Sequence, residues 1–237
     1  MTIFDWLERV AFLRGEPAVW LVLLTAVLIV VAADLRLGLL ALAGQYFAAT
    51  LLFVDVLDPR LAIVKLLVGW FVCLILYMTG RQVDWGHAPP DVTAEEAARW
   101  RQPTHTRLGR YRLPLWAARA ALAGLTLALV WWLARRPNVY LPLAPEDLAY
   151  LNLAVYALLA FGLLQMALGA QPLAAGMGAF MFLTGFALFY SSLDQSLAAL
   201  GLLAAVNLVV ALAVSYLAQA RRRQLAAGQL PTTQSHV

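Results

Sequence analysis

The chain has 237 residues, of which 63% are hydrophobic and only 13% are charged, and its mean hydropathy is +0.77. This composition lies far outside that of soluble proteins and indicates an integral membrane protein. Because each membrane crossing uses about 20 apolar residues, little of the chain is left for a soluble catalytic domain. The formal net charge of +4 includes 17 basic residues, and Lys65 is the only lysine among them.

The cysteine and histidine content argues against the common cofactor sites. A single cysteine, Cys73, cannot form a disulfide framework or a cysteine-rich cluster site. The three histidines, His87, His105 and His236, are far apart and lack the spacing of a metal motif. We therefore predict no catalytic residues, no bound metal and no cofactor.

Seven apolar stretches are each long enough to cross a bilayer, and turn residues separate them. In chain order, these spans are 17–33, 37–55, 61–79, 113–133, 148–168, 172–191 and 195–219. The pattern predicts an all-α polytopic membrane protein with two three-helix modules, 17–81 and 148–223, and a linking helix within 113–136.

The segments outside the spans have separate interpretations. Residues 1–16 lack the features of a secretory signal and predict a short interfacial helix. Residues 82–112 form a basic loop, in which Thr93 and Glu96 match a capping box. This loop is interpreted as a solvated cytoplasmic connector, with a docking patch for a cytoplasmic subunit as the alternative. Residues 224–237 are predicted to be a disordered tail.

Basic residues set the predicted orientation, because cytoplasmic loops are enriched in Lys and Arg. With seven spans, the C-terminus shares a side with the loops after spans 1, 3 and 5. Ten arginines fall on that side: Arg36, Arg81, Arg99, Arg101, Arg107, Arg110, Arg112, Arg221, Arg222 and Arg223. Five fall opposite: Arg9, Arg14, Arg60, Arg135 and Arg136. The distribution predicts an outside N-terminus, a cytoplasmic C-terminus and residence in the cell's inner membrane.

Polar side chains inside the spans are the first candidates for function, because they are costly in hydrocarbon. Lys65 lies about 7–8 Å below Arg60 along span 3. It either snorkels toward Asp55 or Asp58, or serves as a protonatable group in a relay. The amides Gln45, Asn207, Asn152 and Gln165 are expected to hydrogen-bond between helices, and Arg119 is expected to snorkel.

Small residues give span 6 a surface for close helix packing. They are Gly176, Gly178 and Gly185, with Gly169 just before the span.

The two ends of the chain share one plan, a sign of internal repetition. Each has a span, a tight turn, a glycine-bearing span, a turn with Asp, and a span ending in a basic stop. The third elements read DPRLAIVKLLVGWFVCLILYMTGR and DQSLAALGLLAAVNLVVALAVSYLAQARRR.

These segments resemble a known family. The stretch LAAVNLVVALAVSYLAQARRRQ is similar to the K subunit of NADH–quinone oxidoreductase and the C subunit of multisubunit cation/proton antiporters. The seven-helix plan, with a lysine in RLAIVKLLVGWF, resembles hydrogenase 4 component E.

The resemblance implies a position near a proton pathway, but its relay carboxylates are missing here. On the family pattern, the third-helix carboxylate falls at Asn207 and the second-helix one near Phe180. In the first module, Gln45 matches the second-helix region and Lys65 lies within about a turn of the third-helix position. Lys65, Gln45 and Asn207 are therefore the predicted proton-pathway candidates.

The leading functional hypothesis is an accessory or scaffolding subunit of a complex I-like, group 4 hydrogenase-like or cation/proton antiporter-like assembly. Its expected partners are larger antiporter-like membrane subunits and the lipid bilayer, with no nucleic acid. It is not expected to be catalytic by itself, although it could belong to a redox-driven proton or sodium pump. The alternative is a stand-alone small transporter. A membrane enzyme is disfavoured, because no nucleophile–base pair or HExxH arrangement is present.

Overall fold

The computed structural model describes residues 11–32, 34–87, 105–108, 111–136 and 149–227. Within them are seven α-helices: α1 (Glu16–Val31), α2 (Leu35–Val56), α3 (Pro59–Gln82), α4 (Leu115–Ala134), α5 (Ala149–Leu168), α6 (Pro172–Leu193) and α7 (Leu197–Ala226). Two 3-10 turns, Ala11–Leu13 and Asp84–Gly86, flank the first three helices. A short antiparallel hairpin pairs β1 (His105–Leu108) with β2 (Tyr111–Pro114) before α4.

The prediction of a multi-pass helical membrane protein is confirmed. Six helices, α2 to α7, are long and apolar enough to cross a membrane, whereas α1 is a shorter apolar helix of 16 residues. The helix boundaries lie within about three residues of the predicted spans, except that α7 continues to Ala226. The hairpin was not predicted.

Local sequence explains where the helices begin. Asp34 and Asp58 each accept a hydrogen bond from the backbone N–H two residues later, and the Ser196 hydroxyl accepts one from Ala199. These side chains satisfy N–H groups that a helix start leaves without partners. Pro59 and Pro172 occupy first helical positions, where proline's missing N–H costs nothing.

Contacts distinguish the two ends of the helix bundle. At the Asp55 end, Asp55 in the last turn of α2 binds Arg14, which precedes α1, and Tyr150 at the start of α5. At the Trp85 end, Trp85 follows α3, and Arg119 of α4 binds carbonyls where α1 and α5 end. Successive helices therefore alternate in direction, and α1, α3, α5 and α7 run toward the Trp85 end.

The helices pack as two rows of three with α4 at one edge. In the first row α2 contacts α1 and α3, and in the second row α6 contacts α5 and α7. Across the rows, α1 packs on α5, α2 on α6 and α3 on α7, while α4 contacts α1 and α5. The central helices α2 and α6 are 72% and 61% buried over their most apolar windows, against 11% for α4 and 17% for α7.

Glycines bring α5 and α6 into backbone contact. A Cβ at Gly162 would lie 2.6 Å from the Phe182 nitrogen, and one at Gly178 would lie 2.6 Å from the Met166 nitrogen. A Cβ at Gly185 would lie 2.7 Å from Leu158 Cβ. The predicted small-residue packing surface of span 6 is therefore confirmed.

Several sequence predictions concern residues outside the described part of the chain. These are most of the interfacial helix, the capping box of Thr93 and Glu96, and His236 in the tail. The described part of the basic loop comprises residues 82–87, 105–108 and 111–112. In it, Asp84, Trp85 and Gly86 have φ of 48°, 53° and 79°, and these left-handed conformations turn the chain after α3.

Candidate functional site: a polar cavity among four helices

A cavity of about 230 Å³ lies among α2, α3, α6 and α7 in the half of the bundle nearer the Asp55 end. Its walls are mainly apolar, with polar groups contributed by five residues: Tyr46, Thr50, Lys65, Thr184 and Asn207. Two of the three predicted pathway candidates, Lys65 and Asn207, therefore face one space although they are 142 residues apart.

Lys65 occupies the cavity wall without a counterion. Its ammonium nitrogen lies 4.8 Å from the centroid of the Phe53 ring, a cation–π contact, and its side chain is partly exposed. Among the described residues, Lys65 takes part in no ion pair. An aromatic face stabilises a cation less than a carboxylate does and leaves the ammonium protons available to water.

The predicted approach of Lys65 to Asp55 or Asp58 does not occur. Asp55 accepts from Arg14 Nε and Nη2 at 3.1 and 2.7 Å, and from the Tyr150 hydroxyl at 2.8 Å. Asp58 instead caps α3 through the N–H of Arg60. Both carboxylates are used in joining helices or in capping, and Lys65 is left facing the cavity.

Asn207 and Tyr46 line the cavity, and each carries a buried polar atom without a hydrogen-bond partner among the described residues. The Asn207 amide nitrogen donates to the carbonyl of Leu203 at 2.9 Å, which leaves its buried oxygen without a partner. The Tyr46 hydroxyl lies beside Thr184 but makes no hydrogen bond of normal geometry. Buried polar atoms without partners are costly, so both groups gain if the wall relaxes enough to admit water beside them.

Thr50 and Thr184 are already satisfied by their own helices. Each hydroxyl donates to the carbonyl four residues earlier, at 2.7 Å, and each retains lone pairs that can accept from water. The two threonines therefore extend the polar surface on α2 and α6 without requiring a partner.

Gln45, the third predicted candidate, does not line the cavity. It is 1% exposed, and neither its amide nitrogen nor its oxygen has a partner among the described residues. Helical spacing places it on the face of α2 that carries Gly38, against which Met177 of α6 packs. Gln45 thus belongs to the α2–α6 interface next to Tyr46.

On α3 and α7, the residues that line the cavity end at Gly69 and Asn207. The Thr79 hydroxyl donates to the Ser215 hydroxyl at 2.8 Å, and Gln219 donates to Gln82 at 2.9 Å. Beyond them, Arg222 forms an ion pair with Asp84. These three cross-links hold α3 against α7 and close this half of the helix pair.

Sequence reasoning missed Tyr46, Thr50 and Thr184 as cavity residues. Tyr46 and Thr50 are four residues apart on α2 and so share a helix face, which was an available signal. Gly69 explains the position of the tyrosine ring, because a Cβ there would lie 2.3 Å from Tyr46 Cδ1. The pairing of Gly69 with Tyr46 depends on how α2 packs on α3 and could not be predicted from spacing.

Arg119 differs from its predicted role. Its side chain points toward the Trp85 end, as snorkelling requires, but its guanidinium group binds backbone carbonyls at the ends of two other helices. It donates to Leu168 at 3.1 Å, and to Ala32 and Val30 at 3.4 and 3.5 Å. A cation at these carbonyls satisfies the free C-terminal ends of α1 and α5 and complements their dipoles.

The described residues contain no group of three or more His, Cys, Asp or Glu side chains that could hold a metal ion. No protein-family model matches the chain, and comparisons with curated proteins and with solved structures find no match.

Proposed function

We propose that the chain is a membrane subunit of a larger assembly, of the complex I-like, group 4 hydrogenase-like or cation/proton antiporter-like kind. Its role is to contribute a hydrated half-path for protons that runs from the Asp55 end to Lys65. The observation that carries this proposal is the convergence of Lys65, Asn207 and Tyr46 on one cavity, where the described residues supply no counterion for Lys65 and no partner for one polar atom each of Asn207 and Tyr46.

Water in the cavity follows from the cost of leaving these groups dry. A charged side chain within the membrane is expensive unless it reaches a partner or water. The cavity volume is enough for several water molecules, which need two to four polar partners each. Lys65 can take up and release a proton, whereas Asn207 and Tyr46 order the water beside it.

The closed half of the α3–α7 pair favours a subunit over a complete channel. A route that stops at the Thr79–Ser215 cross-link needs another protein surface to continue across the membrane. The low burial of α4 and α7 leaves large apolar faces for lipid or for the expected antiporter-like subunits.

The proposal also includes seven membrane spans, two three-helix modules and a cytoplasmic Trp85 end. Although α1 is short, Arg14 joins its start to the Asp55 end and Arg119 reaches its last turn, so we propose α1 as a seventh span. The contacts of α1 with α5, α2 with α6 and α3 with α7 support two three-helix modules. The arginine distribution supports a cytoplasmic Trp85 end in the cell's inner membrane, where the 82–112 loop is available to a cytoplasmic subunit.

The assembly is tested by purifying the tagged chain from native membranes in a mild detergent. We expect larger polytopic subunits to co-purify in fixed proportion. Recovery of the chain as a homogeneous lone species, with no partner cross-linked in membranes, would refute the subunit role.

The proton path is tested by replacing Lys65 with Met in the intact assembly and measuring proton pumping in proteoliposomes. Arg60→Gln is the matched control, because it removes a cation from the exposed start of the same helix. We expect pumping to fall at least about tenfold for Lys65→Met, as a lost proton-transfer group typically costs 10²–10⁴-fold when it is essential. If Lys65→Met pumps protons as fast as Arg60→Gln, Lys65 does not transfer protons, and its role is structural.

A stand-alone transporter is the second proposal, and the pairing of equivalent helices across the two rows favours it. Transporters often place their site between repeated units. Ion or solute flux in proteoliposomes containing this chain alone would support a transporter. Absence of flux with a range of cations and a proton gradient would refute it.

A further inference from the structure

A second open space lies between α2 and α3, at the Trp85 end and outside the polar cavity. It is a groove of about 830 Å³ with a basic and aromatic mouth. Arg36, at the start of α2, and Arg81, in the last turn of α3, line it together with Trp70, Tyr77 and Trp85.

Both arginines at the mouth lack a counterion among the described residues. The described ion pairs are Arg14 with Asp55 and Arg222 with Asp84, so neither Arg36 nor Arg81 is neutralised. The Arg36 guanidinium carbon lies 5.4 Å from the Trp85 ring centroid, and both arginine side chains are exposed. Two unpaired guanidinium groups at one mouth make an attractive site for an anion.

The position of Trp85 fixes this mouth. Its backbone has a left-handed φ of 53°, and its ring covers Gly80, where a Cβ would lie 2.6 Å from the ring. The ring is also 5.8 Å from that of Tyr77. Trp85 is thereby held on α3 while its face remains available to Arg36.

Below the mouth, the groove is apolar and runs along the outer surface of the bundle between α2 and α3. Its walls extend from Arg36 to Ala43 on α2 and from Arg81 back to Trp70 on α3. At 1.5 Å per residue, these walls reach about 10 and 16 Å along the helices. A charged mouth above a long apolar groove matches an amphiphile rather than a small hydrophilic anion.

We propose that the groove binds an anionic phospholipid. The phosphate headgroup lies between Arg36 and Arg81, and an acyl chain follows the apolar walls toward Trp70. Guanidinium groups bind phosphate oxygens through paired hydrogen bonds, and basic pockets between membrane helices are typical sites for anionic headgroups. Tryptophan and tyrosine are favoured at headgroup level, where an apolar ring and a polar atom are both accommodated.

The test uses the full-length protein in nanodiscs or mild detergent, with phosphatidylglycerol and phosphatidylcholine of identical acyl chains as probes. Native mass spectrometry measures how much of each lipid the protein retains. We expect the wild type to retain phosphatidylglycerol preferentially. Arg36→Gln with Arg81→Gln should lower this preference at least about tenfold, since each basic residue near an anionic membrane contributes about 1 kcal/mol.

The matched control is Arg60→Gln with Arg223→Gln, which removes the same charge from exposed positions outside the groove. The control should keep the wild-type preference. An equal loss of preference in both double variants, or no loss in either, would overturn the proposal. The single variant Arg81→Gln separates lost lipid binding from misfolding, because the Arg81 side chain has no described hydrogen bond or ion pair. It should lower the preference for phosphatidylglycerol. Its melting temperature in phosphatidylcholine should equal that of the wild type.

Inorganic phosphate separates a lipid site from a site for free anions. We expect millimolar phosphate neither to displace phosphatidylglycerol nor to raise the melting temperature of the protein in detergent. Displacement or equal stabilisation by phosphate would show that the arginines recognise a free anion, and the lipid assignment would fail. These experiments do not involve Lys65, so their outcome is independent of the proposed proton path.

Discussion

The two halves of the α3–α7 helix pair are built differently. Toward the Trp85 end, Thr79 binds Ser215, and further contacts join the helix ends. Toward the Asp55 end, the same helices separate and leave the cavity that Lys65 and Asn207 face. A Cβ at Gly201 of α7, which lines this cavity, would meet nothing within 4 Å.

The difference shows how an apolar bundle can hold a polar space without a complete pore. Between α3 and α7, cross-helix hydrogen bonds are present where the two helices touch, and the Asn207 oxygen lacks a described partner where they separate. We call the three cross-linked pairs the closed seam: Thr79 with Ser215, Gln82 with Gln219, and Asp84 with Arg222. A solute or proton that enters the cavity from the Asp55 end would meet this seam beyond it.

Loss of the Asp55 carboxylate should have the largest effect on stability. Asp55→Ala leaves Arg14 and Tyr150 without their acceptor, and α1, α2 and α5 lose the contact that joins them. Removing one partner of a fully buried pair costs about 3–5 kcal/mol, and partial exposure of Arg14, at 38%, reduces our expectation to about 2–3 kcal/mol. Unfolding in detergent measures it, with the exposed Asp58→Ala as control. A smaller loss for Asp55→Ala than for Asp58→Ala would contradict the account.

Adding a methyl group to Gly69 should disturb the open half next. Gly69→Ala places a Cβ 2.3 Å from Tyr46 Cδ1, so the ring must move into the cavity or α3 must shift. We expect a destabilisation of about 1–3 kcal/mol. Gly201→Ala is the matched control on the facing helix, where space is free and alanine favours the helix by up to about 1 kcal/mol. Equal melting temperatures for the two variants would show that the cavity wall is not packed as described.

The closed seam should be weakened by a single hydroxyl deletion. Thr79→Val keeps the side-chain shape but removes the hydrogen bond to Ser215 across the helices. Such bonds in membrane proteins contribute about 0.6 kcal/mol on average and up to about 1.7. Thr50→Val is the control, since the described hydrogen bond of its hydroxyl stays within α2. A double-mutant cycle with Ser215→Ala that gives no coupling energy would refute the seam.

The smallest expected effect concerns pH at the turn between α6 and α7. Two hydrogen bonds from Ser196 hold the pKa of Asp194 below its ordinary value of 3.8. The larger effect comes from the backbone N–H of Ser196, and the smaller one from its hydroxyl. Because the folded-state pKa is the lower one, the stabilisation is present above the unfolded-state pKa and is lost as pH falls through the folded-state value. We expect the melting temperature to fall slightly more between about pH 5 and pH 3 in wild type than in Ser196→Ala. An identical pH dependence in both proteins would contradict this linkage.

Sequence alone predicted the positions of the seven helices well, because long apolar runs and turn residues such as Asp58 and Pro59 are local signals, although only six of these helices are long enough to count as candidate spans. It also singled out Lys65 and Asn207, since polar groups in hydrocarbon are costly wherever the helices pack, and both line one cavity. It could not place Gln45 at the α2–α6 interface or bring Tyr46 to the cavity. Those positions depend on the rotation and contacts of helices that are distant in the chain.

The partners of charged residues were the other limit of sequence reasoning. Asp55 was a candidate partner for Lys65 because both lie near one boundary, yet it binds Arg14, 41 residues earlier. Arg119 was expected to seek the membrane surface, but carbonyls at the ends of two helices lie within its reach. Competition between nearby partners is decided by tertiary geometry, which composition and spacing do not contain.

The central claim is that water reaches the cavity from the Asp55 end and stops at the seam. It is tested by labelling single cysteines with a membrane-impermeant maleimide, applied from each side of sealed vesicles, in a protein lacking Cys73. The positions are Ala204→Cys in the cavity wall, Ser215→Cys in the seam and Leu202→Cys on the exposed apolar face of α7. Gln195→Cys, in the exposed turn, identifies the side on which the Asp55 end lies.

We predict that Ala204→Cys is labelled only from the side that labels Gln195→Cys, and that Ser215→Cys and Leu202→Cys are labelled from neither side. If Ala204→Cys resists labelling from both sides, or reacts from the side opposite Gln195→Cys, the hydrated half-path is wrong.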